Sequence, residues 1–253
     1  MKPSTHAASQ YLETTENLTA RMVIHAYSTN PKSWFTWLGE RLPVVGDILE
    51  VGAGTGELWR HVDHSAAQLT LVDFSPAMCA RLQEISGAIV EQVDAASLPF
   101  EAASFDSLIA NHMLYHVDDP DAALKEFSRV LKPGGRLLVS LNGHDHLPEL
   151  KAIGQSIGRN DVLSSESLND VTAETGPGYL KQYFTDVVVE EYPGDLDIPT
   201  VRPVMDYILT TGQGNFTDAQ KSAAQKLIED RIAAEGSFRI HRHTVLLTAR
   251  RHA

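Results

Sequence analysis

Residues 50–56 read Glu50-Val51-Gly52-Ala53-Gly54-Thr55-Gly56, a glycine-rich turn closing a short, mostly apolar stretch that starts at Asp47. Glycine after a strand lets the backbone turn tightly and leaves no Cβ in the way of a ligand. The helix expected to follow turns unpaired N–H groups and the positive end of its dipole toward whatever binds there. The spacing is Gly-x-Gly-x-Gly, not the Gly-x-Gly-x-x-Gly of dinucleotide binders. No lysine follows at the position a phosphate loop requires, which disfavours a nucleoside triphosphate.

Outward from that turn, strand and helix patterns alternate. Leu69 to Asp73, Ile89 to Val93, Phe105 to Ala110 and Arg136 to Leu141 read as strands. Pro76 to about Ile85 and Pro120 to about Leu131 read as helices, and Lys132-Pro133-Gly134-Gly135 as a sharp turn. Strands separated by helices predict a parallel sheet with right-handed crossovers. Residues 1 to about 10 read as a loose tail, and 11 to 42 as helical, with Leu18, Met22, Ala26, Trp34, Trp37 and Leu38 at helical spacing. In the last third, 147–157, 165–183, 201–211 and 218–234 read as helical. Asp186 to Tyr192 and Phe238 to Ala249 read as strands closing the same sheet, the final one antiparallel at its edge. The expected fold is α/β: a Rossmann-like, seven-stranded, mostly parallel sheet with its last strand antiparallel. The whole is one domain, with an N-terminal helical lid over 1–44, a core over 45–145 and a C-terminal helical insertion over 198–236.

Composition narrows the function classes. The 253 residues carry 33 acidic and 21 basic side chains, a formal charge of −12. Such a surface argues against nucleic acid or an anionic membrane as partner, since phosphate neutralisation needs clustered Lys and Arg. The few bases near the C-terminus, Arg239, Arg242, Arg250 and Arg251, read as a solvated strand end. The lone cysteine, Cys79, excludes an intrachain disulfide. With a polar first ten residues and no apolar run near the ~20 needed to span a bilayer, a cytoplasmic protein is expected.

Acidic residues at strand ends sharpen the reading. Asp73 lies nineteen residues after Gly54, where a carboxylate takes both hydroxyls of a ribose. Asp73-Phe74-Ser75-Pro76 also fits a helix N-cap. Asp94 with Ala95 closes the third strand and suits acceptance from an exocyclic amine, or a loop cap. Asn111 and His112 follow the fourth strand, at the carboxyl ends where open α/β sheets bind ligands.

These stretches, with Asp94 to Pro99, Phe105 to Pro120 and Leu131 to Ser140, resemble the successive motifs of class I S-adenosylmethionine-dependent methyltransferases. The ubiquinone-biosynthesis-like, small-molecule branch is closest, with its Asp-x-x-x-Leu-Pro-Phe and Leu-Lys-Pro-Gly-Gly elements. The resemblance is strong over roughly 45–145 and weaker outside. It implies S-adenosylmethionine as cofactor, S-adenosylhomocysteine as product and a small-molecule acceptor with an O, N or C nucleophile. Gly52, Gly54 and Gly56 would pass the methionine part, and Glu50 would orient that loop or the amino group. Asp73 would hold the ribose, Ser75 and Met78 would border the adenine, and Asp94 would accept from its amine. Asn111 and His112 would flank the methionine end, and Tyr27 would contact it from the lid.

Methyl transfer from an activated sulfonium needs mainly in-line positioning and exclusion of water; a general base matters where the nucleophile must lose a proton. His112, His116 and His146 are the candidates, against packing and capping roles for the same residues. His112 and His116 stand at the i, i+4 spacing of helix-borne metal ligands, but no acidic or cysteine set completes a site there, so no metal is expected. His241 and His243 share one strand face and read as surface or packing residues. Trp34, Trp37, Tyr115 and Tyr207 are candidate lining for an apolar pocket formed by lid and insertion. Two rivals remain: a non-methylating cofactor-binding relative such as a cyclase, and a nicotinamide-dependent oxidoreductase.

Overall fold

Alternation along the central strands assigns each apolar side chain to one of two layers. Strand β1 (Gly46–Val51) sends Leu49 and Val51 to one face and Ile48 to the other. Strand β2 (Ala67–Asp73) splits Val72 from Leu69 and Leu71 in the same way. A strand buried on both faces must be apolar at nearly every position, the mark of a sheet covered by helices on both sides. In the computed structural model, which describes residue 7 and residues 15–163, 169–211 and 214–252, β3 (Ile89–Gln92) and β4 (Phe105–Asn111) extend this sheet. So do β5 (Leu131–Asn142), β6 (Phe184–Glu191) and β9 (Thr244–Arg251). The order is β3-β2-β1-β4-β5-β9-β6, seven strands, with β9 antiparallel to both neighbours.

The final strand is not at the edge, as its position in the chain suggested. It lies between β5 and β6, and Val245, Leu246 and Leu247 are buried on both faces. The edge belongs to β6, whose outer half is exposed and ends in Glu190-Glu191. The stretch 238–249 is also not one strand. β7 (Leu196–Ile198) and β8 (Phe238–Ile240) pair as a separate two-stranded ribbon.

One face is covered by α5 (Pro120–Val130), whose Leu124 and Phe127 are fully buried, the other by α2 (Trp34–Gly39), α3 (Glu57–His61) and α4 (Pro76–Leu82). Before α2 come α1 (Glu16–Met22) and a 3-10 turn (Val23–Tyr27). The ribbon, α6 (Pro148–Ser156), α8 (Val201–Thr211) and α9 (Asp218–Glu235) pack around a further cluster that includes Ile24, Leu150, Ile208 and Ile228. The helix expected over 165–183 is short: α7 spans Gly176–Leu180, and 164–168 lie outside the described residues. The expected N-terminal tail also lies outside them, except Ala7. Among the described residues no helix is long and apolar enough to cross a membrane.

Strand order reverses between β1 and β4. Such a switch point leaves a crevice at the carboxyl ends of the strands, where open α/β sheets hold ligands.

Candidate functional site

A cavity of about 500 Å³ opens at that switch point, lined from several strand ends at once. After β1 the chain turns sharply. The N–H groups of Gly52 and Ala53 both donate to the Val72 carbonyl, at 2.8 and 3.1 Å, and Gly52, Gly54 and Gly56 all have φ between 58° and 74°. The expected helix dipole is a minor feature, because α3 is only five residues long. What faces the cavity is the turn itself.

Two carboxylates sit beneath the turn. Asp73, 6% exposed, accepts from Gly54 N–H through Oδ2 and from Ser75 N–H through Oδ1, each at 2.9 Å. Those bonds fix its plane and leave the outer lone pairs for a ligand. Burial raises its pKa, against the pull of the Ser75 and Gly54 amides. Glu50, 1% exposed, accepts from Trp59 Nε1. Burial pushes it up to about 8; the Trp59 bond opposes this, and the neighbouring Asp73 charge adds to it. Asp94 also lines the cavity, with Ala95; its Oδ1 accepts from Ala96 N–H at 2.9 Å, so it caps its loop while presenting its other oxygen.

Not every expected contact lies on this wall. Glu50, Gly52, Gly54, Asp73, Met78, Asp94, Ala95, Asn111, His112, His116 and His146 line the cavity; Tyr27, Gly56 and Ser75 do not. Ser75 is fully buried, and its hydroxyl caps α4 by accepting from Met78 N–H at 3.2 Å. Gly56 faces Leu82 and Ile85, which a Cβ there would meet at 3.0 Å, so it serves helix packing. Tyr27 packs on the cluster between ribbon and insertion.

The other half of the cavity is rich in imidazole. His112 follows β4 with φ 54°, its ring 5.2 Å from that of Trp34. His112 and His116 do not share an α-helix, since His112 is itself left-handed and His116 ends a 3-10 turn (Leu114–His116); the i, i+4 metal geometry does not arise. His146 has Nδ1 3.0 Å from the His243 carbonyl. A carbonyl only accepts, so that nitrogen carries the proton and Nε2 keeps its lone pair. Burial, reinforced by His25 and His112, drives His146 well below the usual histidine range. Burial lowers His112 to about 3 and, with the Arg242 charge, His25 to about 4.

Among the lining residues that the sequence did not place at the site are His25, Arg242 and Tyr192. His25 lies on the same face as Leu18, Arg21 and Met22, a helical stripe that continues into the 3-10 turn. Arg242, read as solvated, is 3% exposed: it stacks over Tyr192 at 4.1 Å and donates to Ser28 Oγ and the carbonyls of Pro193 and Gly194. Tyr192 itself is the third. Of the four aromatic candidates, Trp34, Tyr115 and Tyr207 line the cavity, while Trp37 stacks behind Trp34 at 5.4 Å.

Residues 49–139 match the family model described as a methyltransferase domain. The chain is 34% identical over 152 residues to an O-methyltransferase, resE, of Aspergillus sclerotiorum, covering 55% of this chain and 57% of that one. It is 34% identical over 111 residues to a ubiquinone biosynthesis O-methyltransferase of Xanthomonas oryzae, covering 41% of this chain and 46% of that one. The chain thus spans about half the length of the curated relatives it matches. In fold it is similar to phosphoethanolamine N-methyltransferase 2 of Haemonchus contortus, with TM-score 0.62 and 19% identity over 100% of this chain and 61% of that one. It is likewise similar to the [4+2]-cyclase SpnF, with TM-score 0.61 and 24% identity over 99% and 96%.

Proposed function

We infer from that match and that sheet that the core of this chain is a class I, S-adenosylmethionine-dependent methyltransferase domain, and we propose that the protein moves the methyl group from sulfonium to a small-molecule acceptor. The carrying observation is the convergence of Glu50, Gly52, Gly54, Asp73 and Asp94 from three consecutive strand ends on one cavity whose opposite half holds neutral histidines. On this reading Asp73 takes the ribose hydroxyls, Asp94 the adenine amine, and Glu50 the amino group of the methionine part. Met78 and Ala95 border the adenine, and Asn111 and His112 flank the methionine part. α1 with its 3-10 turn, together with α8, caps the acceptor half through Leu18, Met22, His25, Tyr207 and Thr211. The lone, half-buried Cys79 suits a reducing, cytoplasmic compartment.

Calorimetry with S-adenosylhomocysteine tests the cofactor half. Asp73→Ala removes the ribose contact and strands the Gly54 and Ser75 amides. The expected loss is at least tenfold in affinity, about 1.5–3 kcal/mol. Unchanged affinity in a variant with wild-type circular dichroism would refute the assignment. A labelled-methyl screen of acceptors tests the reaction itself; tight cofactor binding with no methylated product from any acceptor would favour a non-methylating role.

Glu50 adds a pH signature. In the free protein it stays protonated up to about pH 8. A cofactor ammonium beside it favours the carboxylate, so the complex titrates lower and binding releases a proton between the two values. Affinity should therefore rise with pH up to about 8, with proton release of up to one per site in buffers of different ionisation enthalpy. A flat profile with no proton release would remove Glu50 from contact with the amino group.

A further inference from the structure

Outside the cavity, on the surface where the loop after β5 meets the start of β9, three histidines and three carboxylates converge. One ligand atom each from Asp145, Glu174 and His243 lies within 4.8 Å of the others. His243 Nδ1 is 2.5 Å from Asp145 Oδ1 and 3.7 Å from Glu174 Oε1. The second oxygen of each of these two carboxylates is faced by a different imidazole: Asp145 Oδ2 by His241 Nε2 at 3.4 Å, Glu174 Oε2 by His144 Nε2 at 3.8 Å. His241 is held in turn through Nδ1 by Asp195 at 3.0 Å. His146 adjoins from the cavity side, through its bond to the His243 carbonyl.

We propose that Asp145 Oδ1, Glu174 Oε1 and His243 Nδ1 form a binding site for one divalent transition cation of the zinc type, with His241 and His144 as the outer groups that orient the two carboxylates. The donor set is the argument. One imidazole and two carboxylates suit a borderline cation bound at about 2.0–2.2 Å, with water completing the shell. At those bond lengths tetrahedral donors stand roughly 3.3–3.5 Å apart. The His243 to Glu174 spacing is already close to this, and the exposed Asp145 need only swing outward. Two negative charges oppose the cation's two positive ones. Outer carboxylates and imidazoles of this kind fix the orientation of the groups that bind the ion in metal sites. The ring has room because residue 143 is glycine: a Cβ there would stand 2.1 Å from His243 Nδ1. The ligands come from three separate segments, so an ion would tie the loop bearing His146 to β9.

The test is calorimetric titration of Zn²⁺ into the full chain, free of any polyhistidine tag, in a non-chelating buffer. One Zn²⁺ per chain is expected, with a Kd on the order of 1–10 μM, weaker than four-ligand structural sites. Asp145→Asn, Glu174→Gln and His243→Asn should each weaken it at least tenfold. Asp145 and Glu174 are exposed, so at least two of these variants should keep the fold, which circular dichroism checks. Saturating Zn²⁺ should raise the Tm of the wild type by roughly 5 °C and leave that of the variants unchanged. A control, His25→Gln with His112→Gln, should bind Zn²⁺ as the wild type does. Binding weaker than about 1 mM, binding that survives Asp145→Asn with His243→Asn, or binding lost in the cavity control would each overturn the site.

Discussion

Gly52→Ala should abolish measurable cofactor binding and lower stability by about 2–4 kcal/mol, the first part from a left-handed non-glycine residue and the rest from overpacking. Two constraints meet at this position. The residue has φ 69°, in the region that favours glycine, and a Cβ there would lie 2.6 Å from Met113 Cβ and 2.8 Å from its Cγ. A methionine tip can move aside, but its Cβ is fixed by the backbone that also places His112. The substitution therefore pushes apart the turn after β1 and the loop after β4, the two sides of the crevice. Chemical denaturation gives the stability and calorimetry with S-adenosylhomocysteine the affinity. Gly54→Ala is the comparison: its Cβ would meet Leu18 at an ordinary 3.4 Å, leaving only the φ of 58° as a cost, and its stability loss should be the smaller. If Gly52→Ala bound the cofactor within threefold of wild type, the turn would not approach the ligand closely.

Much of this architecture can be read from residue order. The apolar runs at Ile48–Val51, Leu69–Val72 and Leu108–Ala110 became neighbouring parallel strands, and Asp73 and Asp94 stand at the strand ends their spacing implied. What could not be read from position was insertion between strands. The last strand ends the chain, so it reads as an addition at the edge; its Val245-Leu246-Leu247 run, apolar on both faces, was the local mark of an interior strand, and Glu190-Glu191 the mark of the true edge. In the site, long-range partners set the role of residues that no local motif marks. Ser75 and Gly56 lie in the motif but turn their side-chain positions inward. Arg242 is far from every motif and is buried by Ser28, Tyr192 and the 193–194 segment. His25 carried a legible signal: with Leu18, Arg21 and Met22 it completes an i, i+3, i+4, i+7 stripe, whereas Ala26, first taken for that face, is exposed.

The cavity is divided by charge. The acids Glu50, Asp73 and Asp94 line the part formed by the first three strand ends, where the cationic cofactor would lie. His25, His146 and Arg242 line the part formed by the lid segment, the loop after β5 and the approach to β9. The three imidazoles His25, His112 and His146 are all held neutral at pH 7 by burial, with the Arg242 charge adding to it at His25 and His146. A protonated imidazole beside a sulfonium would repel it. A neutral one leaves the methyl donor undisturbed and offers a lone pair.

His146 is the imidazole whose lone pair the structure orients, and His146→Gln should lower kcat about 10²- to 10⁴-fold for an acceptor that must lose a proton. Its Nδ1 is committed to the His243 carbonyl, so Nε2 would be the atom to take the acceptor's proton as the methyl passed from sulfur to oxygen or nitrogen. His146 would become an imidazolium balancing the charge lost when the sulfonium yields a thioether, and would then release its proton to solvent. Because burial holds His146 well below the usual histidine range, the wild type at saturating cofactor should keep its full kcat from about pH 8 down to pH 6 and lose it only in more acidic solution, as the base becomes protonated. In His146→Gln the acceptor must ionise unaided, so activity should climb about tenfold per pH unit below the acceptor's own pKa. Affinity for S-adenosylhomocysteine should be unchanged, which separates a lost base from a damaged cofactor site. His112→Gln is the counter-test, since it alters the neighbouring imidazole without touching the Nδ1 to carbonyl pair. A His146→Gln enzyme with kcat within threefold of wild type and a flat pH profile would mean that positioning alone drives the transfer, or that another of these imidazoles is the base.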